Sequence, residues 1–183
     1  MTEIDVNNLI ERKKETKKAF AKKLSFSYKR PLLGVFLEEE LPNGDAEKVK
    51  EILEGVAAIN MEVIVLADSN IDEFSIPHVI FLPYSRVNRK NLLESCDMAL
   101  MLPFNDVEEF LLNGIVPISA QKDGAKDGLK DYNPNFETGN SFTYKNESSW
   151  GIFAALVRAM ETFKFPFDWR NIVREGVNGV KGE

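Results

Sequence analysis

The sequence has few of the residues that build disulfide frameworks or metal centres. It contains one cysteine, Cys96, and one histidine, His78, among 183 residues. A single cysteine cannot form an intrachain disulfide or a cysteine-based zinc cluster. His78 stands at the start of a predicted strand, at the end away from the expected binding site, which favours a structural role. We therefore predict neither a metal nor a cofactor.

The chain also lacks long apolar runs and an excess of positive charge. No apolar stretch approaches the roughly 18 residues that a membrane helix needs, and the first residues are too polar for a signal peptide. The formal net charge is −6, which gives no basic footprint for nucleic acid. With 44% apolar and 28% charged residues, the composition is that of a globular domain. We expect a cytoplasmic protein with no membrane or nucleic-acid partner.

Two common nucleotide-binding motifs are missing. No G-x-G-x-x-G pattern follows the first predicted strand, and no glycine-rich loop ends in a phosphate-binding lysine. Dinucleotide-dependent dehydrogenases and P-loop nucleoside triphosphatases depend on these motifs. The sequence therefore disfavours both classes.

What the sequence does contain is a series of short apolar segments alternating with helical patterns. These segments predict strands at 32–37, 62–67, 79–82, 98–102 and 115–118, and SFTYK predicts a sixth. They are apolar throughout rather than alternating, so we expect strands buried on both faces. Alternation with helices then implies right-handed crossovers and a parallel sheet. We predict an α/β, Rossmann-like fold with helices on both faces of the sheet.

The predicted domain organisation has three parts. Residues 1–30 are rich in lysine and form a lead-in helix or linker with a solvated basic face. Residues 31–175 form the Rossmann-like domain. The glycine-containing end, 176–183, is expected to be a flexible tail.

A binding site in such a fold is expected at the carboxyl ends of the strands. There the segment NDVEEFLLNGIVPI places Glu108 and Glu109 in the first turn of a short helix. One interpretation is favourable charge at a helix N-terminus, which is worth about 0.3–1 kcal/mol. The other is a ligand contact, and the residues alone leave both open.

Four segments in order, SCDMALMLP, EFLLNGIVPIS, DGAKDGL and TGNSFTYKN, resemble the carboxyl-terminal half of bacterial glycogen and starch synthases. Glu109, Gly114 and Pro117 fall in register with the family's glutamate, glycine and strand proline. Gly124 and Asp127 match its glycine turn, while Gly139 and Phe142 match the start of its next strand. The resemblance extends over residues 10–175.

The resemblance implies the sugar-nucleotide-binding domain of a GT-B glycosyltransferase. In that family the glutamate matching Glu109 contacts the donor ribose, and the helix start and glycine turn face the diphosphate. The implied nucleotide-sugar site consists of Glu109, Asn105, Asp106, Lys122, Gly124, Ala125 and Tyr84, with no catalytic residue assigned. The implied partners are ADP-glucose or another nucleotide sugar, and a separate N-terminal GT-B half.

The sequence departs from the family where the family binds the diphosphate and the sugar. The family's arginine and lysine after the first strand are replaced by Glu38, Glu39 and Glu40, and its F-E-P-C-G loop is shortened. The first glycine of the turn is Asp123. We therefore expect a glycosyltransferase-like domain that transfers no sugar alone. The alternatives are a catalytically silent binding or regulatory module derived from that fold, or an unrelated flavodoxin-like interaction domain.

Overall fold

A computed structural model describes residues 5–37, 45–56, 58–67 and 76–181. They form a six-stranded parallel sheet with strand order β3-β2-β1-β4-β5-β6. The strands are β1 (Leu32–Leu37), β2 (Glu62–Ala67), β3 (Val79–Pro83), β4 (Met98–Leu100), β5 (Val116–Ala120) and β6 (Phe142–Tyr144). The helices are α1 (Val6–Leu24), α2 (Asp45–Val56), α3 (Arg86–Ser95), α4 (Val107–Leu112), α5 (Gln121–Gly124), α6 (Ser149–Phe163) and α7 (Pro166–Lys181). The predicted Rossmann-like fold is confirmed.

The strands are mainly apolar because both faces of the sheet are covered. In β1, the side chains of Leu33 and Val35 enter one hydrophobic cluster, while those of Leu32 and Phe36 enter another on the opposite face. All six residues of β2 are buried. A half-exposed sheet would instead have required alternating polar residues.

Helices contribute to both clusters. On one face, side chains of α2, α6 and α7, among them Ile52, Leu156 and Ile172, pack against Leu33 and Val35. On the other face, the cluster takes its helical members from α1, α3 and α4, including Phe20, Leu92 and Phe110. This is the doubly covered arrangement that the strand pattern predicts.

The basic face of α1 is solvated in part: Lys14, Lys18, Lys22 and Lys23 are exposed, but two further lysines are not. Lys13 and Lys17 are buried, at 8% and 4% exposure. The Lys13 ammonium donates to the carbonyls of Leu93 and Asn113, both at 3.0 Å. Lys17 lies 2.5 Å from the Asp97 carboxylate. Composition missed this because a long lysine side chain packs its methylenes against apolar surface and carries its charge to a distant acceptor.

Helix α7 continues through residues that were expected to form a flexible tail. It extends to Lys181, and Val177 is fully buried. Gly176 and Gly179 lower helix propensity by about 1 kcal/mol each relative to alanine. Packing of Val173 and Val177 in the core offsets that cost.

None of the helices in the described ranges is both long enough and apolar enough to cross a membrane. The longest of them is α1, with 19 residues, and lysines are distributed along it.

His78 lies just before β3, in contact with polar groups at the amino end of the sheet. Its Nδ1 is 3.0 Å from Arg30 Nη1 and 3.6 Å from Glu62 Oε2. The same arginine lies 3.2 Å from Glu62 Oε1. These contacts give His78 a structural environment at the edge opposite the carboxyl ends of the strands.

Candidate functional site

A cleft of about 390 Å³ opens at the carboxyl ends of β4, β5 and β6. It lies beside the pair β1 and β4, where the strand order reverses. Open α/β sheets bind ligands at this place because the loops on either side of the reversal diverge. The lining comprises Lys48, Val49 and Ile52 from α2; Leu100 of β4, with residues 101–103, Asn105 and Val107 after it; Ser119 and Ala120 of β5, with Asp123, Lys126 and Asp127 after it; and Tyr144 of β6, with Glu147 and Ile152 after it.

The cleft has an apolar floor and a polar rim. Val49, Ile52 and Ile152 are buried members of the main hydrophobic cluster. Asp123 and Glu147 are exposed at the rim. An apolar floor with a few polar groups above it is the usual composition of a small-molecule site.

Asn105 is the predicted site residue that lines this cleft. Its Oδ1 accepts the Leu102 N–H at 2.9 Å, and its Nδ2 donates to the Phe36 carbonyl at 3.2 Å. The amide thereby ties the loop after β4 to the end of β1. Asn105 shapes the cleft at the reversal point as well as lining it.

Asp106 caps the helix that follows. Its Oδ1 accepts the Glu109 N–H at 3.2 Å, and the acidic Glu108 and Glu109 occupy the first turn of α4. Capping by a carboxylate satisfies one of the free N–H groups at a helix start. A helix start favours nearby negative charge. Here Asp106, Glu108 and Glu109 supply that charge.

Glu109 pairs with Arg89 of α3 instead of facing the cleft. Arg89 Nη1 and Nη2 donate to Glu109 Oε1 and Oε2 at 2.8 and 2.6 Å. The two residues lie along a shallow groove between α3 and α4 that also contains Arg86 and Asn113. A bidentate guanidinium–carboxylate pair uses both oxygens of the carboxylate.

The predicted phosphate turn forms helix α5 and the residues after it. The backbone N–H groups of Ala125 and Lys126 donate back to the carbonyls of Gln121 and Asp123. Gly124 is buried, and a Cβ there would lie 3.1 Å from Ser119 Oγ, so its glycine is explained by close packing. Lys122 Nζ lies 2.6 Å from Glu147 Oε1, and this hydrogen bond raises the pKa of Lys122.

Tyr84 stands apart from the other predicted residues. It follows β3, which is an edge strand, and β2 and β1 lie between that strand and β4. Its N–H donates to the Ala67 carbonyl at 2.8 Å, and the residue is 44% exposed. The cleft lining does not include Tyr84.

The predicted set did not include Lys48, Asp127, Tyr144 or Glu147, all of which line the cleft. For Tyr144 and Glu147 a signal was present, because the sixth strand was predicted and they lie at its carboxyl end. Asp127 had been matched to the glycine turn but was not assigned a role. Nothing in the sequence indicated that Lys48 lines a cleft, because a lysine next to an apolar residue is common on the solvated face of any helix.

Acidic groups outnumber basic groups along the described lining of the cleft. The cations are Lys48 and Lys126, and the carboxylates are Asp123, Asp127 and Glu147. Lys126 Nζ is 3.5 Å from Asp123 Oδ1. Within the described ranges, no cluster of three or more His, Cys, Asp or Glu side chains could hold a metal ion. The lining thus offers little net positive potential to an anion.

Two curated proteins similar to this chain are glycogen synthases. The enzyme of Fervidobacterium nodosum is 23% identical over 186 residues, which cover 93% of this chain and 38% of the relative. That of Bacillus cytotoxicus is 24% identical over 87 residues, which cover 48% of this chain and 17% of the relative. The chain thus spans well under half the length of either relative. No family model matches it.

Several solved structures with a similar fold are glycosyltransferases. The C-terminal domain of a group 1 glycosyl transferase, LpcC, from Francisella tularensis superposes with a TM-score of 0.62 at 10% identity, covering 99% of this chain and 98% of that one. WaaG, a glycosyltransferase involved in lipopolysaccharide biosynthesis, gives 0.61 at 12% identity over 89% of this chain and 46% of its own. A trehalose 6-phosphate synthase from Burkholderia multivorans gives 0.61 at 11% identity over 98% of this chain and 46% of its own. The chain has the Rossmann-like fold of a GT-B domain, and its resemblance to glycogen synthases is confirmed.

Proposed function

We propose that this chain is a glycosyltransferase-like domain, related to the ADP-glucose-binding half of glycogen synthases, that binds a nucleotide sugar weakly and transfers no sugar by itself. The observation that supports it best is the cleft beside the β1–β4 reversal. Similarity to a glycogen synthase over 93% of the chain adds to it. The proposed location is the cytoplasm, and the proposed partner is a separate N-terminal GT-B half.

Weak binding follows from the charges around the cleft. A nucleotide sugar carries a diphosphate, and a charge-assisted hydrogen bond to it is worth about 1.5–3 kcal/mol. The family's arginine and lysine are replaced in this sequence by glutamates at 38–40, so two such bonds are lost. The loss amounts to about two to four powers of ten in affinity. Lys126, one of two lysines in the described lining of the cleft, is already close to Asp123.

The absence of transfer follows from the same charges. When the sugar leaves, negative charge develops on the diphosphate, and stabilising that charge is the main electrostatic task of such a site. Here Asp123, Asp127 and Glu147 line the cleft. Carboxylates at this place oppose the developing charge instead of stabilising it.

The residues of the predicted site have two different positions relative to a ligand in the cleft. Asn105 contacts the ligand within the cleft, while Lys122, Gly124 and Ala125 border it. Glu109 contacts the ribose only after the Arg89 pair opens, and Tyr84, after the edge strand β3, has no contact with the ligand in this proposal.

The second candidate is a catalytically silent binding or regulatory module. The Arg89–Glu109 pair favours it, because the carboxylate that matches the family's ribose contact is held by a bidentate guanidinium. A module of this kind would retain the fold without binding a donor. The two candidates differ in whether a nucleotide sugar binds at all.

The test is an equilibrium titration of the purified chain with ADP-glucose and with ADP, followed by ligand-detected saturation-transfer NMR. We expect saturable binding with a dissociation constant in the millimolar range. A micromolar constant at moderate salt would show that other cations of the chain bind the diphosphate. Absence of saturable binding would leave the silent module as the better account.

A further inference from the structure

The basic residues of this acidic chain are concentrated at its beginning. The first 30 positions hold nine of the 23 Lys and Arg residues, but only four of the 29 Asp and Glu residues. The fold uses Lys13, Lys17 and Arg30 in contacts with carbonyl and carboxylate oxygens. The other six cations have no such task in the core. Strong segregation of charge along a chain is typical of proteins that associate with an anionic surface.

These six cations are exposed on and just after α1. They are Arg12, Lys14, Lys18, Lys22, Lys23 and Lys29. The exposed acidic side chains of residues 5–30 are Asp5, Glu11 and Glu15. The last two are paired with lysines one helical turn away, at 2.7 and 3.1 Å. Exposed pairs of this kind are weak, so the segment keeps a net positive charge toward solvent.

An exposed apolar turn follows α6. Phe165, Pro166 and Phe167 are consecutive and all exposed, with the two phenylalanines at 59% and 60%. Neither phenylalanine belongs to a hydrophobic cluster of the described residues. A run of three apolar side chains in solvent is unfavourable unless it has a function. The turn is therefore a candidate contact surface.

Contacts at two places put this turn beside α1. Lys17 Nζ lies 5.3 Å from the centre of the Phe163 ring, so the end of α6 packs against the middle of α1. Farther along, a Cβ at Gly114 would lie 3.1 Å from Leu9 Cδ2 of α1 and 3.4 Å from Val173 Cγ1 of α7. Helices α1 and α7 thus run side by side in opposite directions. The turn before α7 lies near the second half of α1.

We propose that the six exposed cations and the 165–167 turn, together called the basic–apolar surface, bind a bilayer that contains anionic phospholipids. Each cation near such a bilayer raises the affinity by about fivefold, and exposed phenylalanines gain by leaving water at the headgroup boundary. Attachment of this kind is peripheral. It departs from the expectation of no membrane partner, which considered only a spanning helix.

The apolar turn favours a bilayer over nucleic acid or an acidic protein segment, although positive charge alone would suit all three. Two phenylalanines around a proline in an exposed turn can enter the boundary between headgroups and acyl chains. Stacking of bases on aromatic rings instead uses a groove that follows the strand. Neither the cleft nor the groove between α3 and α4 includes a residue of the basic–apolar surface.

Attachment through this surface leaves the cleft accessible. Lys17 ties α1 to Arg30 and Asp97, which come just before β1 and β4. The helix is therefore fastened at the amino ends of these strands, whereas the cleft opens at the carboxyl ends of β4, β5 and β6. The proposal does not depend on whether a donor binds in the cleft.

The test is co-sedimentation of the purified chain with vesicles of phosphatidylcholine and phosphatidylglycerol in equal parts, and with vesicles of phosphatidylcholine alone. We expect binding to the mixed vesicles that weakens as salt is raised, and about tenfold weaker binding to the neutral vesicles. Equal binding to the two, or none to the mixed vesicles, would overturn the proposal. Tighter binding to single-stranded DNA or polyglutamate than to the mixed vesicles would overturn it as well.

The double substitution Phe165→Ala and Phe167→Ala tests the apolar part of the surface. It should weaken binding to the mixed vesicles by about tenfold, because two rings no longer leave water. Trp150→Ala is the matched control, since Trp150 is 79% exposed near the start of α6, the opposite end of that helix. Thermal melting followed by circular dichroism confirms that both variants are folded. Equal losses in the two, or unchanged binding by the double variant, contradict the proposal.

Lys22→Gln tests the basic part of the surface and should weaken binding to the mixed vesicles by about fivefold. Lys145→Gln removes the same charge from an exposed position just after β6, at the opposite edge of the sheet. It should change the affinity little. Equal losses in the two variants would show that only the net charge of the chain matters, and an unchanged affinity in Lys22→Gln would exclude α1 from the contact. Either result overturns the proposal.

Discussion

At the scale of single residues, a buried charge network joins α1 to the amino ends of β1 and β4, the edge of the sheet opposite the cleft. Lys17 donates to the Arg30 carbonyl at 2.6 Å and contacts the Asp97 carboxylate, which also accepts the Leu32 N–H at 2.8 Å. This network fastens α1 to the starts of β1 and β4. Each group in it would be costly to bury alone.

Lys17→Ala should therefore destabilise the protein by about 3–5 kcal/mol, because it leaves the Asp97 carboxylate buried without its counter-ion. The free energy of unfolding in urea measures this. Lys18→Ala is the control, since Lys18 contacts Glu15 in solvent with both side chains exposed, and its effect should be far smaller. Equal effects of the two substitutions would show that Lys17 is not an essential part of the fold.

For Glu109 the sequence and the structure point to different contacts. The alignment with the family predicts a ribose contact, whereas the structure shows an ion pair with Arg89. Its register with the family's ribose contact is readable from the sequence, because glycine follows five residues later. Its pairing with Arg89 was not predicted, because the contact depends on how α3 and α4 are placed side by side. Local patterns do not determine that placement.

Releasing Glu109 provides a direct test of its role as a ribose contact. Arg89→Gln should raise the affinity for ADP by about two- to fivefold, because a partly exposed ion pair worth up to about 1 kcal/mol no longer competes with the ribose hydroxyls. Lys90→Gln removes the same charge from the same helix and should not raise it. NMR titration of both variants with ADP measures the two dissociation constants. Equal changes in affinity would exclude a ribose contact at Glu109.

At the scale of elements, the turn between α4 and β5 depends on a glycine. Gly114 has φ +65°, and a Cβ there would lie 3.1 Å from Leu9 Cδ2 of α1. Gly128 has a similar φ of +70°, but no atom lies within 4 Å of the position its Cβ would take. The two glycines thus share a backbone conformation and differ in packing.

Both glycine-to-alanine substitutions should destabilise the protein, and Gly114→Ala should do so more. Gly128→Ala carries only the left-handed backbone cost of about 1–2 kcal/mol. Gly114→Ala adds the displacement of Leu9 to the same cost. Thermal and urea unfolding of the two variants measure the difference in the free energy of unfolding. A smaller loss of stability in Gly114→Ala than in Gly128→Ala would mean that Leu9 moves away from the new methyl group at little cost.

The elements that were predictable are those whose pattern is local. The first five strands could be located because each is a mainly apolar run between polar segments, and this pattern requires no knowledge of partners. The sixth, SFTYK, was located from its aromatic and threonine residues. The end of α7 was not predictable from propensity, since Val177 is buried by tertiary packing that outweighs Gly176 and Gly179. The burial of Lys13 likewise depends on carbonyls of α3 and the α4–β5 turn, distant in sequence.

At the scale of the whole molecule, the architecture fixes where a ligand can bind, while side chains from several elements decide what binds. Parallel strands and the β1–β4 reversal place the cleft, and both follow from the predicted fold. The charge balance of the lining was not predictable, because α2, α5 and the start of α6 meet only in three dimensions.

The whole chain should transfer no glucose from ADP-glucose or UDP-glucose to a maltooligosaccharide. The acid-lined cleft does not stabilise the leaving diphosphate. The assay is extension of a labelled acceptor together with release of labelled nucleotide, and Glu109→Ala serves as the control for contaminating enzyme. Extension that disappears in that control would refute the prediction. Extension seen only after a separately produced N-terminal half is added would support the split-enzyme form of the proposal.

The central claim is that a donor, when it binds, enters the cleft at the carboxyl ends of β4, β5 and β6. The most direct measurement is a residue-resolved NMR titration of the labelled chain with ADP-glucose at millimolar concentrations. The account predicts progressive shifts of the Asn105, Ala120, Lys126 and Ile152 amides, with a common millimolar dissociation constant. Shifts confined to α1, α7 or the amino ends of the strands, with these four amides unchanged, would contradict it.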